Sequence, residues 1–234
     1  MEERLGFGEM LENLLKIDDE SWAAYAFSRE LLKHRIEEDK KLEMTAKAIQ
    51  CGKEYAKQVR CEFQNADLQT IARAYNLNLE FQNTLIIGDR ILFACYTAPS
   101  RIQIMEEPIN KAVELIEKEK PNLVNIFTRD AIIDIILGHE MFHFIENEES
   151  DHIYTRNEKI LLWKFMGYKN YSAVHALGEI GAMAFTKELT GIPYSPFILD
   201  FILYYSYSAS NAEKIYRDIL GKSLERCIHT VENY

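Results

Sequence analysis

Apolar and polar positions fall into three textures along this chain. Through the first 75 or so residues the apolar side chains sit among long runs of strong helix formers, and no proline precedes Pro99. With the strongest helix breaker missing, the spacing predicts helices at about 18–36 and 38–63, carrying Leu31, Leu32, Leu42, Met44, Ala48 and Tyr55, and a short helix over 66–75. The texture then changes. Leu77-Asn78-Leu79-Glu80-Phe81, Arg90-Ile91-Leu92-Phe93-Ala94-Cys95-Tyr96 and Arg101-Ile102-Gln103-Ile104-Met105 are alternating or β-rich segments between turn signals. They predict a small antiparallel sheet. Pro108 suits the first turn of a helix that Pro121-Asn122 ends.

From Thr128 the helical spacing returns. Thr128 is a candidate N-cap, Asp130 falls in the first turn, and Ile132, Ile133, Ile135, Ile136 and Leu137 lead into His139-Glu140-Met141-Phe142-His143. Further helices are predicted at about 157–166, 171–189, 195–207 and 211–232, with Gly191-Ile192-Pro193 as a stop. Taken together the fold class is α+β and mostly helical, with an N-terminal helical region over 1–65 packed on a domain spanning 66–234. Residues 196–205 form the most apolar late stretch, but it holds Asp200 and falls short of the roughly 20 apolar residues of a membrane span.

Composition narrows the partners. The 37 acidic against 27 basic side chains set a formal charge of −10. No dense Lys/Arg block forms a phosphate-binding stripe, which argues against nucleic acid. Cys51, Cys61, Cys95 and Cys227 lack the paired spacing of a zinc knuckle or redox motif and read as thiols in a reducing compartment. Met1-Glu2-Glu3-Arg4 is acidic, with no signal-peptide apolar run, so the expected location is cytoplasmic, with no membrane partner.

The chemistry lies in the motif. Residues at i and i+4 of a helix share a face, so His139 and His143 can converge on one cation while Glu140 stands beside it. Two imidazoles and one carboxylate around zinc keep a net positive charge and an open position, and Glu140 is then placed as general base. Chance can produce such a string. Burying two unpartnered histidines and a glutamate in an isoleucine-rich helix would, however, be costly.

For the third ligand Glu179 is the choice, an acid in an apolar helix beside Gly178, Gly181 and Ala182, whose small side chains allow close approach to the motif helix. Rivals remain. His175 lies one turn earlier on the same face and is a candidate ligand or oxyanion donor. Glu146 returns to the histidine face as a competing ligand or partner of one, although Asn147, Glu148 and Glu149 suggest a solvated helix end. His152 with Asp151, and Tyr204, Tyr205 and Tyr207, are weaker candidates for a transition-state donor. Phe142 and Phe144 read as packing residues.

The order of short helix, three strands, HExxH helix and downstream Glu-x-x-Ala helix resembles the zincin core of ImmA/IrrE-type metallopeptidases over roughly residues 66–190. The resemblance implies zinc held by His139, His143 and Glu179, with Glu140 as the base of a peptidase acting on a peptide or protein. Phe142 stands where that family commonly has glycine, and the interval from His143 to Glu179 is long for the type. A substrate strand is expected on a sheet edge at 101–105. Two other readings stay open: a non-peptidase metal protein of the di-iron kind, for which Glu149-Ser150-Asp151-His152 would have to supply the second Glu-x-x-His, and a catalytically idle zincin scaffold for protein binding. Oligomeric state has no signature in the sequence.

Overall fold

The computed structural model describes residues 5–83, 86–87 and 90–232, and only the backbone of 86–87, 90–91 and 224–232. The acidic segment 1–4 and the side chain of Cys227 lie outside the described residues. Four helices open the chain: α1 (Phe7–Leu14), α2 (Asp19–Ser28), α3 (Glu38–Phe63) and α4 (Leu68–Ala74). Asp18 and Asp67 accept from the backbone N–H groups of Ser21 and Thr70 at 2.6 and 2.7 Å, satisfying donors that the first turns of α2 and α4 would leave orphaned.

The helix expected over 18–36 stops at Ser28. The reason is tertiary. Glu30 is buried, and its carboxylate accepts from Leu32 N–H at 3.1 Å and from Ala176 N–H at 3.0 Å, so the chain turns to cap a helix far along the sequence.

Five strands follow: β1 (Asn78–Gln82), β2 (Ile86–Ile87), β3 (Arg90–Ile91), β4 (Ala94–Thr97) and β5 (Arg101–Met105). The sheet order is β1-β5-β4, with β5 parallel to β1 and antiparallel to β4, while β2 and β3 form a separate pair. The expected all-antiparallel sheet is therefore mixed, and the expected 90–96 strand breaks before Ala94. Alternation specifies which side chains face the core and carries no information about strand direction. It does hold on β5, where Ile102 and Ile104 are buried and Arg101 is exposed.

Next come α5 (Glu106–Glu119), α6 (Arg129–Glu148), the single turn α7 (Tyr154–Asn157), a hairpin of β6 (Lys159–Phe165) and β7 (Tyr168–Ala173), then α8 (His175–Thr190), α9 (Ile198–Tyr207) and α10 (Ala209–Glu232). Thr128 caps α6 as expected, accepting from Ala131 N–H at 3.1 Å. Gly191, at φ 72°, ends α8 in the left-handed conformation that glycine adopts without strain. Where a helix was expected over 157–166 the chain forms the hairpin instead. Met166 and Gly167 both take positive φ, 45° and 88°, making the two-residue turn that brings Phe165 opposite Tyr168. This hairpin also occupies the long interval between His143 and Glu179.

Helix α8 is clamped between α3 and α6 by backbone proximity. A Cβ on Gly52 of α3 would lie 2.2 Å from the Gly181 carbonyl oxygen, and a Cβ on Gly181 would lie 2.8 Å from the Phe142 ring of α6. Contacts this close admit no methyl group. Helix α6 runs through the interior with Ile132, Ile133, Ile135, Leu137, Met141, Phe142 and Ile145 all buried, as a helix apolar on most of its circumference must. Among the described residues no helix is long and apolar enough to cross a membrane.

Candidate metal centre

Helix α6 presents His139 and His143 one turn apart, and their Nε2 atoms lie 3.0 Å from each other. From α8, Glu179 brings Oε2 within 3.5 Å of His139 Nε2 and Oε1 within 3.7 Å of His143 Nε2. These three ligand atoms lie within 4.8 Å of one another, the one such group among the described residues. Donors held at zinc's usual 2.0–2.2 Å in a tetrahedral arrangement stand roughly 3.3 Å apart, so the donor set fits a single zinc ion in both spacing and chemistry.

The ligand helices meet because the contact residues are small. Gly178 faces the Glu146 carboxylate, whose oxygens would lie 3.2 Å from an added Cβ. Glu146 is buried, 5% exposed, and its Oε2 accepts from His143 Nδ1 at 2.9 Å while Thr155 donates to Oε1. The expectation of a solvated helix end at Glu146 is thus overturned, because Gly178 and Thr155 close over it. Glu146 does not join the ligand atoms. It orients the ring whose Nε2 does, the usual service of a carboxylate behind a metal-binding histidine.

Charge is concentrated here. Burial works against the His143 imidazolium, but the hydrogen bond to Glu146 and the charges of Glu179, Glu140 and Glu146 outweigh it and raise the pKa to about 9. Burial likewise opposes ionisation of Glu146, and the hydrogen bonds from His143 and Thr155 prevail, holding its carboxyl below the usual range. His139 Nδ1 is buried with no hydrogen-bond partner among the described residues.

Glu140 stands beside the group, 8% exposed, with Oε2 accepting from Tyr96 N–H of β4 at 2.6 Å. A pocket of about 260 Å³ opens onto His139, Glu140 and Glu179. Apolar side chains, Ile135, Ile136, Leu199 and Leu203 among them, form most of its wall, together with Phe93 and Ala94 of the sheet side. Its polar corner is Arg29, bonded to Asp200 at 3.0 Å and to the Tyr25 hydroxyl at 3.1 Å. Burial pushes the Asp200 carboxyl up, with the Arg29 guanidinium opposing.

Of the candidate residues, His139, His143, Glu179 and Glu140 come together. His175 is exposed at the first position of α8 and lies outside both the ligand group and the pocket wall. Asp151 and His152 sit in an exposed turn after α6. Tyr204 lines the pocket, Tyr205 packs on Phe7, and Tyr207 carries the Lys111 ammonium over its ring. The strand edge expected at 101–105 is internal to the sheet, since β5 pairs on both sides. The edge beside α6 is β4. Phe142 and Phe144 pack as expected, on Phe185 and on Tyr75 and Tyr96.

Sequence reasoning missed Thr155, Tyr96, Arg29 and Asp200. Asp200 alone left a signal, a single charge inside an apolar helix. A comparison of the chain with protein-family models, with curated proteins and with solved structures found no match.

Proposed function

We propose that this protein is a zinc-dependent hydrolase, and specifically a peptidase, with His139, His143 and Glu179 as metal ligands and Glu140 as general base. The observation that carries the reading is the pairing of two functions at one place: a compact His-His-Glu donor set, and a buried carboxylate on the next residue of the same helix. A metal-binding role alone would not call for Glu140, a buried carboxylate whose desolvation the single hydrogen bond from Tyr96 N–H offsets only in part.

A divalent cation on the three donors would supply Lewis acidity, polarising a carbonyl oxygen and lowering the pKa of a water toward ~7. Glu140 takes the proton of the attacking water as its oxygen bonds to the carbonyl carbon, and delivers a proton to the leaving nitrogen as the C–N bond breaks. Tyr96 N–H holds Oε2 of that carboxylate, which leaves Oε1 as the accepting oxygen. Strand β4 is the sheet edge beside α6, so an extended peptide adding there would run past Glu140.

The test is metal content and turnover together. Protein purified without an affinity tag or added metal should contain one zinc per chain and release new termini from a denatured-protein or peptide-library substrate, and Glu140→Gln should retain the zinc and lose the cleavage. Zinc-free protein with full thermal stability and no zinc uptake would reject the reading.

A further inference from the structure

The β6–β7 hairpin stands apart from the site. Its exposed apolar side chains are Leu161, Trp163, Phe165, Met166, Tyr168 and Tyr171, with Met166 83% and Tyr168 77% exposed. Over residues 159–173 the chain carries Lys159, Lys164 and Lys169 and not one Asp or Glu, in a protein of net charge −10. The register sets Phe165 opposite Tyr168, Lys164 opposite Lys169, and Trp163 opposite Asn170. Cross-strand partners share a face, so Trp163, Phe165 and Tyr168 line one side near the tip and two lysines lie abreast on the other.

Two features of this tip cost folding stability. Like charges directly opposite each other destabilise a strand pair. Met166 at φ 45° takes a turn position that asparagine or glycine fills more readily, and its side chain is the most exposed of the large apolar ones on the hairpin. Neither feature serves the core. The paired lysines and the exposed methionine side chain become favourable against a surface that is apolar just beneath a layer of negative charge.

We propose that the hairpin docks this protein tip-first on an anionic phospholipid surface, with Met166 and Phe165 entering the headgroup–acyl boundary, Tyr168 and Trp163 at headgroup depth, and Lys164 and Lys169 reaching lipid phosphates from the other face of the hairpin. The expectation of no membrane partner rested on the length of a span, and the lack of a spanning helix among the described residues does not bear on this shallow contact. A protein partner suits the hairpin less, because a standard interface takes roughly 20–30 residues a side, and these strands have 7 and 6.

The two tryptophans make the test direct, since Trp22 is fully buried and Trp163 is half exposed. At low ionic strength the full-length chain should co-sediment with phosphatidylcholine vesicles containing about one third phosphatidylglycerol, with a blue shift of tryptophan emission, and should ignore pure phosphatidylcholine. The double variants Phe165→Ser with Met166→Ser, and Lys164→Glu with Lys169→Glu, should each lower vesicle affinity on the order of tenfold or more. Absence of co-sedimentation, co-sedimentation without a blue shift, or variants that bind as the parent does would overturn the proposal. So would a blue shift that grows with protein concentration in the absence of vesicles, which would make the hairpin a contact between copies of this chain.

Discussion

Glu140 and Glu146 lie on the same helix, are both buried, and are separated by what touches them. Tyr96 N–H holds Glu140, whereas Glu146 is held by His143 and Thr155. Different partners imply different failures on mutation. Glu140→Gln keeps shape and the Tyr96 contact but cannot accept a proton, so it should lose about 10²-fold or more in turnover with zinc content unchanged, read by single-turnover kinetics and metal analysis. Glu146→Gln keeps a hydrogen bond to His143 but loses the charge, and should weaken zinc binding about 10–100-fold in a chelator competition. The close contact with His143 outweighs the few-fold effect that a solvated Glu146 would imply. His143→Ala or His139→Ala should abolish stoichiometric zinc, and Glu179→Ala should weaken it strongly, because each removes one of three donors. His175→Ala, at an exposed helix start, should leave zinc affinity within a few-fold.

Helices α3, α6 and α8 depend on glycine at their crossings, and α8 also at its C-terminal end, for distinct reasons. Gly52 and Gly181 meet backbone to backbone, whereas Gly191 has nothing near its missing Cβ and is needed only for its φ of 72°. Gly52→Ala should therefore cost on the order of 3 kcal/mol, the upper end for overpacking, since a peptide oxygen cannot rotate aside as a side chain can. Gly191→Ala should cost about 1–2 kcal/mol. Thermal melts would show the first as a Tm drop of about 6–12 °C and the second as one of about 2–8 °C. Because α8 carries Glu179, Gly52→Ala should also weaken zinc binding, while Gly191→Ala should not. Equal metal affinity in the two variants would separate the crossing from the site.

Across the whole molecule, the N-terminal helices and the motif helices share one hydrophobic cluster that reaches from Phe7 to Ile219. Glu30 caps α8 from the N-terminal region, and Arg29 forms a corner of the pocket. Occupancy of the ligand group should therefore report on global unfolding. A cation that binds only the folded chain stabilises it by about 2.7 kcal/mol at 100 times its Kd. Zinc at that excess should raise Tm by about 5–10 °C in the parent protein, and leave His143→Ala unmoved, in a scan of chelator-treated samples.

What the linear chain determined by itself is local. The i, i+4 spacing of His139 and His143 dictates a shared helical face, Thr128 and Gly191 bound their helices, and the glycines flanking Glu179 mark a helix that can be approached closely. Each needs only backbone geometry and nearest neighbours. Legibility ended where partners are distant in sequence. Nothing near Glu146 announces Thr155 and Gly178 closing over it, and Lys159 to Phe165, whose leucines and lysines suit a helix as readily as Ile160, Trp163 and Phe165 suit a strand, is made a strand by the Met166–Gly167 turn and the β7 partner. The parallel pairing of β1 with β5 is equally nonlocal. Strand direction, the burial of a carboxylate and the lining of a pocket arise from contacts between segments far apart in the chain, and only the tertiary structure brings those segments together.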